Sequence, residues 1–149
     1  MKTYIFKTHL FRDKKVVREI EILENSNLYE LAKAIVTAYD FDFDHAFGFF
    51  SNLSEQWYKS DKKYELFADM EDIEPTGAKS VKNTKINEAW NKIGDKMLFL
   101  FDYGDTWTFV VELIKFGEKE VKKKYPCVSK KVGLSPEQYP EVDEDLPVA

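Results

Sequence analysis

Residues 96–116 read "KMLFLFDYGDTWTFVVELIKF", two apolar runs rich in aromatic and β-branched side chains on either side of a Gly-Asp turn. Such runs flanking a short turn predict an antiparallel hairpin. A two- or four-residue loop at Gly104–Asp105 sets Asp102 opposite Trp107, Leu100 opposite Phe109 and Leu98 opposite Val111. Phe101 with Thr108 and Phe99 with Val110 then share the other face. Both faces are substantially apolar, which places these strands in the middle of a sheet covered on two sides.

The opening of the chain predicts a second hairpin. "TYIFKTHLF" (3–11) and "KVVREIEIL" (15–23) are apolar, β-branched and aromatic, separated by "RDKK". Their alternation puts Arg18 on one face with Val16, Ile20 and Ile22. A guanidinium there needs a partner or an exposed end of the sheet. Asp102 is an equally costly carboxylate on its own strand, and an Arg18–Asp102 pair would account for both. Asp102 could instead accept from backbone amides near Gly104, and Asp105 reads as a turn residue.

Between the hairpins lies "SNLYELAKAIVTAYDF", where Leu28, Leu31, Ala32, Ile35 and Tyr39 recur on one helical face. Asn27 suits the N-cap, with Glu30 three residues on. "HAFGFF" (45–50) predicts a strand, and "EQWY" (55–58) a continuation of sheet. Weaker helical patterns run from Asp61 to Asp72, with Tyr64, Phe67 and Ala68 on one side, and through "KINEAWNKI" (85–93). The latter would be capped by Thr84, turn Ile86, Ala89, Trp90 and Ile93 inward, and end at Gly94. "EPTGAKSVKN" (74–83) predicts a loop. Beyond Phe116 no periodicity persists, and an irregular segment laid over the domain is expected, with an acidic flexible tail from 136 to 149. The expected architecture is α+β, a single domain over residues 1–135 built on a curved, mostly antiparallel sheet with helices packed on it. The two hairpins would share that sheet, and Leu31 and Ile35 would pack the first helix across it.

A chain of 149 residues can form one sizeable core, hiding roughly 68–70% of its unfolded surface. With 12 Phe, 8 Tyr and 3 Trp, rings must dominate that core and leave some for a binding face. No apolar stretch approaches the length of a membrane span, and the start lacks a secretory pattern, so the expected location is the cytoplasm. One cysteine, Cys127, allows no internal disulfide and no cysteine-based zinc site. The net charge of −5 argues against a general polyanion binder. Charge is nonetheless uneven. Seven lysines fall between Lys115 and Lys131 against Glu118 and Glu120, whereas five acids and no base follow from Val132.

The common catalytic motifs are absent: no G-x-S-x-G, H-E-x-x-H, P-loop or G-x-G-x-x-G. "YDFDFDH" (39–45) opens like a calcium loop, but His45 and Ser51 occupy the positions that need glycine and glutamate. It reads as a helix-to-strand connection with solvated aspartates. A metal or substrate role for His45 with these acids is the competing reading. His9, the other histidine, reads as a satisfied strand residue.

In order, the strand "YIFKTHL", the arginine of "VVREIEI", "LYELAKAIVTAYDF", "DHAFGFF", "FDYGDTW", "YPC" and "SPEQ" resemble the plasmid pRiA ORF-three-like family over nearly the whole chain. The resemblance implies a mixed α+β fold with a curved sheet, an origin among passenger proteins of plasmids and transposons, and no established reaction. Arg18, His45, Phe47, Asp102, Gly104, Asp105 and Trp107 stand at the family's motif positions. Phe109 departs from it, where histidine is common, as does Glu137–Gln138, which no Gly-Gly follows. The expectation is a non-catalytic accessory module that binds a protein or peptide through an aromatic-lined cleft bordered by His45, Phe47, Asp102, Asp105 and Trp107. No catalytic residue, metal or cofactor is expected, and the assembly state would be a monomer or weak homodimer. The alternatives are a metal-assisted hydrolase using His45 with nearby aspartates, and nucleic-acid binding through Lys115 to Lys131 with Tyr125.

Overall fold

The computed structural model describes residues 1–69 and 78–140. Alternation in the first forty residues makes strands β1 (Lys2–Leu10) and β2 (Val17–Leu23), then the helix α1 (Leu28–Ala38). Asn27 caps α1 by accepting from the Glu30 amide at 2.8 Å. Further strands are β3 (Phe47–Phe50), β4 (Lys63–Glu65), β5 (Lys79–Ser80), β6 (Lys96–Phe101), β7 (Trp107–Glu118) and β8 (Cys127–Val132). A one-turn helix, α2 (Ile86–Ala89), precedes β6.

All eight strands form one sheet in the order β5-β4-β3-β6-β7-β1-β2-β8, antiparallel except at β4–β5. The two expected hairpins do share it, joined where β7 lies beside β1. The helical share is smaller than an α+β reading implies, because α1 is the one helix of several turns among the described residues.

The core lies between one sheet face and α1. Leu28, Leu31, Ala32, Ile35 and Tyr39 are fully buried there with Phe6, Ile20, Ile22, Phe47, Phe99, Phe101 and Phe109. Each such large apolar side chain contributes roughly 1.5–3 kcal/mol by leaving water. Trp90 closes one end of this layer, stacked edge-on against Phe6 at 4.8 Å and donating to the Val111 carbonyl at 3.2 Å. On the opposite face Phe50, Leu98 and Leu100 are covered by Phe11 and Trp57. The central strands are thus buried on both sides, as their composition predicts.

Five local expectations are corrected. The 96–116 hairpin pairs Phe101 with Trp107, Leu100 with Thr108 and Phe99 with Phe109, one residue away from the expected register. The cause is a five-residue connection, 102–106, in which Asp102 and Thr106 both take positive φ (66° and 56°). "EQWY" contributes a 3-10 turn at Trp57–Lys59 that lays Trp57 on Phe50 at 4.8 Å, rather than a strand. Residues 63–65 are strand β4, with Tyr64 buried and Phe67 exposed in the 3-10 turn that follows. The helix expected there does not form, and its last residues lie outside those described. Within the loop expected over 74–83, Lys79–Ser80 make the short strand β5. The helix at 86 lasts one turn. Lys85 precedes it with its amide bonded to Glu88 Oε2 at 2.7 Å, Thr84 bonds the Ser80 carbonyl instead, and Ile93 is exposed.

The C-terminal stretch is more ordered than expected. Cys127–Val132 add β8 to the edge of the sheet beside β2. Gln138 is buried and Tyr139 is hydrogen-bonded to the domain, while the acidic residues from 141 lie outside the described chain.

Candidate binding site

The site begins where α1 ends. Tyr39 terminates the helix, Asp40 takes a positive φ of 62°, and the chain runs extended to β3. Its alternation then sorts side chains. Phe41 turns inward onto Trp107 at 4.8 Å, and Phe43 onto Phe47 at 5.2 Å. The "DFDFD" pattern is a connection that buries its rings. Gln138 fastens this segment from outside, accepting from the Asp42 amide at 2.7 Å and donating to the Asp42 carbonyl at 3.1 Å.

At the end of the connection His45 meets three oxygens. Its Nε2 lies 2.6 Å from the Tyr139 hydroxyl, 3.4 Å from Asp102 Oδ2 and 3.7 Å from Asp44 Oδ1. The Tyr139 hydroxyl donates to Asp44 Oδ2 at 2.7 Å, so its oxygen accepts from a proton on His45 Nε2. The hydrogen bond to the Asp44 carboxylate is the main cause that pushes the Tyr139 phenol up to about 12.

Asp102 is held by its own turn. Its amide donates to the Ala46 carbonyl at 2.9 Å, and its carbonyl accepts from Thr106 at 2.6 Å. Oδ1 accepts from the amides of Gly104 (3.0 Å) and Asp105 (3.2 Å). A Cβ at residue 104 would stand 3.3 Å from that oxygen, so glycine keeps the carboxylate seated. Oδ2, the other oxygen, faces His45.

His45, Ala46, Glu65, Phe67, Asp102, Tyr103 and Gly104 line an open depression of about 410 Å³. Tyr103 hydrogen-bonds the Glu65 carboxylate, and burial with that neighbour raises its phenol above the ordinary value. The depression is lined by two carboxylates, an imidazole and two partly exposed rings. Such a lining suits a cationic or hydrogen-bond-donating group carried on an apolar or aromatic body.

The expected cleft is divided. His45 and Asp102 come together, but Phe47 is buried in the core. Asp105 and Trp107 line a separate hollow of about 200 Å³ with Leu10, Arg12, Thr106 and Thr108. The Trp107 indole nitrogen is buried with no hydrogen-bond partner among the described residues.

Arg18 does not pair with Asp102. It is fully buried, and all its donors end on neutral oxygens. Nε donates to Ala38 O (2.9 Å), Nη1 to Val17 O (2.8 Å) and Val132 O (2.9 Å), and Nη2 to Gly133 O (3.0 Å) and Ser135 Oγ (2.8 Å). Ser135 donates on to Asp40 Oδ2 at 2.7 Å, a bond that holds the Asp40 carboxyl below its usual range. Gly133, at φ 81°, presents its carbonyl in a conformation that glycine adopts freely.

Tyr139, Gln138, Tyr103 and Glu65 escaped the sequence reading. Two of them stood inside quoted stretches, Gln138 in "SPEQ" and Tyr103 in "FDYGDTW", which mark positions but not contacts. Among the described residues, no three or more His, Cys, Asp or Glu side chains are arranged to hold a metal ion. No helix among them is long and apolar enough to cross a membrane.

An eight-stranded, mostly antiparallel sheet, with a histidine-carboxylate cluster where the helix-to-strand connection meets the central hairpin, defines the class of domain. Residues 2–140 match the family described as Plasmid pRiA4b ORF-3-like protein, and the chain belongs to that family. It is also similar in fold to the crystal structure of protein of unknown function MM3350 from Methanosarcina mazei Go1. The TM-score is 0.71 at 21% identity, covering 91% of this chain and 71% of that one. Comparison with curated proteins finds no match.

Proposed function

We propose that this protein is a non-catalytic accessory module that binds a protein or peptide in the depression formed by His45, Asp102, Tyr103, Glu65 and Phe67. The convergence of His45, Asp44, Asp102 and Tyr139 from three separate parts of the chain beside that depression carries the reading. The binding face is smaller than the cleft expected from sequence. It keeps His45 and Asp102, exchanges Phe47 for Tyr103 and Phe67, and leaves Asp105 and Trp107 to one side. Two lining carboxylates favour a partner segment bearing lysine or arginine.

A metal-assisted hydrolase receives less support. The histidine nitrogen that would ligate or act as base is engaged with the Tyr139 hydroxyl, and His45, Asp44 and Asp102 are not arranged to hold a metal ion, nor is any other such group among the described residues. Nucleic-acid binding is also less supported, because Lys123, Lys130 and Lys131 are already paired with Glu21, Glu19 and Asp40.

Panning a displayed peptide library against the immobilised protein tests the proposal, with the Asp102→Asn variant as counter-selection. Asparagine keeps an acceptor for the Gly104 and Asp105 amides and tolerates the positive φ, so the fold survives while the charge is lost. Enrichment of basic peptides that bind the parent at least fivefold better than Asp102→Asn supports the site. Peptides that ignore the substitution, or stoichiometric metal uptake lost on His45→Ala, would refute it.

A further inference from the structure

The surface around His45 continues past Tyr103. The Tyr103 ring stands 5.7 Å from that of Trp57 and is turned 72° to it, and Tyr58 stands beside Trp57 at 5.6 Å and 85°. Trp57 in turn walls a second hollow, of about 230 Å³, with Phe11, Arg12, Leu98 and Thr108. A pair of neighbouring, partly exposed rings thus links the two hollows, with the exposed Tyr58 alongside.

We infer that these rings receive a proline-rich segment of a partner protein in the extended polyproline conformation, with an arginine or lysine at one end that enters the His45 depression. The inference rests on the binding role proposed for that depression and extends it to Trp57. Three observations identify the occupant. Rings set nearly at right angles leave angular notches with apolar walls, which fit a compact pyrrolidine ring; a nucleobase needs an open parallel face, and Phe50 already lies against Trp57 at 4.8 Å. The Trp57 indole N–H makes no hydrogen bond among the described residues and, unlike that of Trp107, is open to water. A polyproline helix has no internal hydrogen bonds and offers its carbonyls to such a donor, whereas an α-helix has consumed most of its own. Strand addition is excluded here, because Trp57 and Leu98 lie over β3 and β6, which are paired on both sides.

Charge sets the direction. Glu65 and Asp102 line the depression, whereas Arg12 and Glu55 face each other at 4.0 Å in the second hollow and balance there. The basic residue therefore belongs at the Tyr103 end and the proline run at Trp57. The prolines of this chain's own C-terminal stretch, Pro136 and Pro140, stand beside Glu137 and Glu141, so a second copy is not complementary.

Two fluorescently labelled peptides, six prolines with an arginine at one end or at the other, are titrated with the full chain and followed by anisotropy. Controls replace the arginine with glutamate or the prolines with alanine. Binding by an arginine-proline peptide, at least tenfold weaker for both controls and accompanied by a shift of the Trp57 indole N–H resonance, is the expected result. Trp57→Phe keeps a ring over Phe50 but lacks the donor, and should weaken binding at least fivefold with unchanged thermal melting. Tyr58→Ala, at an exposed position, should weaken it as well. Equal binding of the arginine-alanine peptide, lost on Asp102→Asn, would overturn the inference and leave the depression as the site of a basic segment. Binding that requires Trp57 but ignores Asp102→Asn would overturn both readings. No binding of either proline peptide would overturn the inference. So would a Trp57 resonance that moves only with a cello-oligosaccharide or oligothymidine, which would assign the rings to sugar or base stacking.

Discussion

Arg18 and Asp102 are both charged groups that strand patterning places among apolar neighbours, yet their surroundings differ in one respect. Every N–H of Arg18 is matched by a neutral oxygen, and the group is sealed from water. Asp102 has one oxygen fixed by two amides, while the other faces a half-exposed histidine beside an open depression. A buried charge whose hydrogen-bonding capacity is filled internally organises the fold. One with capacity turned toward an opening can meet a ligand. Burial alone, which is nearly the same for both, does not separate the two roles.

The sharpest break of this comparison would come from Arg18→Ala. It strands the carbonyls of Ala38, Val132 and Gly133, empties a large buried volume and releases the 132–135 segment from α1. A loss of about 3–5 kcal/mol is expected, read from urea midpoints. Arg18→Lys should recover only part of it, since an ammonium has three donors in place of five. If either variant costs less than Asp102→Ala, Arg18 is not the organising group.

Tyr39 belongs to the same sealed node and gives it a pH signature. Its hydroxyl contacts Thr8 at 2.9 Å, and Arg18 lies over its ring at 5.1 Å. Burial pushes this phenol from 10.0 up to about 12. The folded state therefore holds its proton at pH values where the unfolded chain has released it. The contribution is complete below pH 10 and is lost as pH rises from 10 to about 12, by roughly 2–3 kcal/mol. Tyr39→Phe should make the alkaline limb shallower in stability measured against pH, leaving the part carried by the other raised phenols, among them Tyr103 and Tyr139. An unchanged limb would show that the node is not what fails there.

How much of this was legible in sequence depends on whether a side-chain pattern or a backbone conformation determined the outcome. Helix α1 and both hairpins were readable because Leu31, Ile35 and the alternating strands bury one consistent face. The misfit of Arg18 was readable too, but its partners were not: four of its five acceptors are main-chain carbonyls, which no residue type advertises. The central register slipped because Asp102 and Thr106 adopt positive φ, which threonine rarely does. β8 escaped because its side chains are mostly exposed and it is held to β2 through the backbone. The pairing of His45 with Asp102 needed that register and the return of Tyr139, so only the members of the site could be named beforehand, not which of them meet.

Asp102→Ala should cost less than Arg18→Ala, about 1–3 kcal/mol, because the two stranded amides are neutral and lie near solvent. Asp102→Asn should recover most of that loss. Equal losses for alanine and asparagine would mean that the charge facing His45, rather than the turn, stabilises the fold. Smaller again is the expected effect of Thr106→Gly. A β-branched residue at φ 56° stores strain that glycine relieves, so a gain of up to about 1 kcal/mol is expected in thermal melting. A loss would assign Thr106 a packing role over the hollow it shares with Trp107.

The finest discrimination concerns Asp105, the second acid of the same turn. Its backbone amide supports Asp102, but its exposed carboxylate takes part in no hydrogen bond among the described residues. Asn offers the same backbone preference at such a position, so Asp105→Asn should change stability by less than about 0.5 kcal/mol. It should also leave peptide binding in the His45 depression unchanged, because Asp105 lines the neighbouring hollow. The contrast with Asp102→Asn is the informative quantity: two neighbouring acids, the same substitution, and loss of binding at only one. Were Asp105→Asn to abolish binding while melting as the parent does, the ligand would have to reach across both hollows. The site would then extend to Trp107, whose buried indole N–H would gain its missing acceptor from the bound partner.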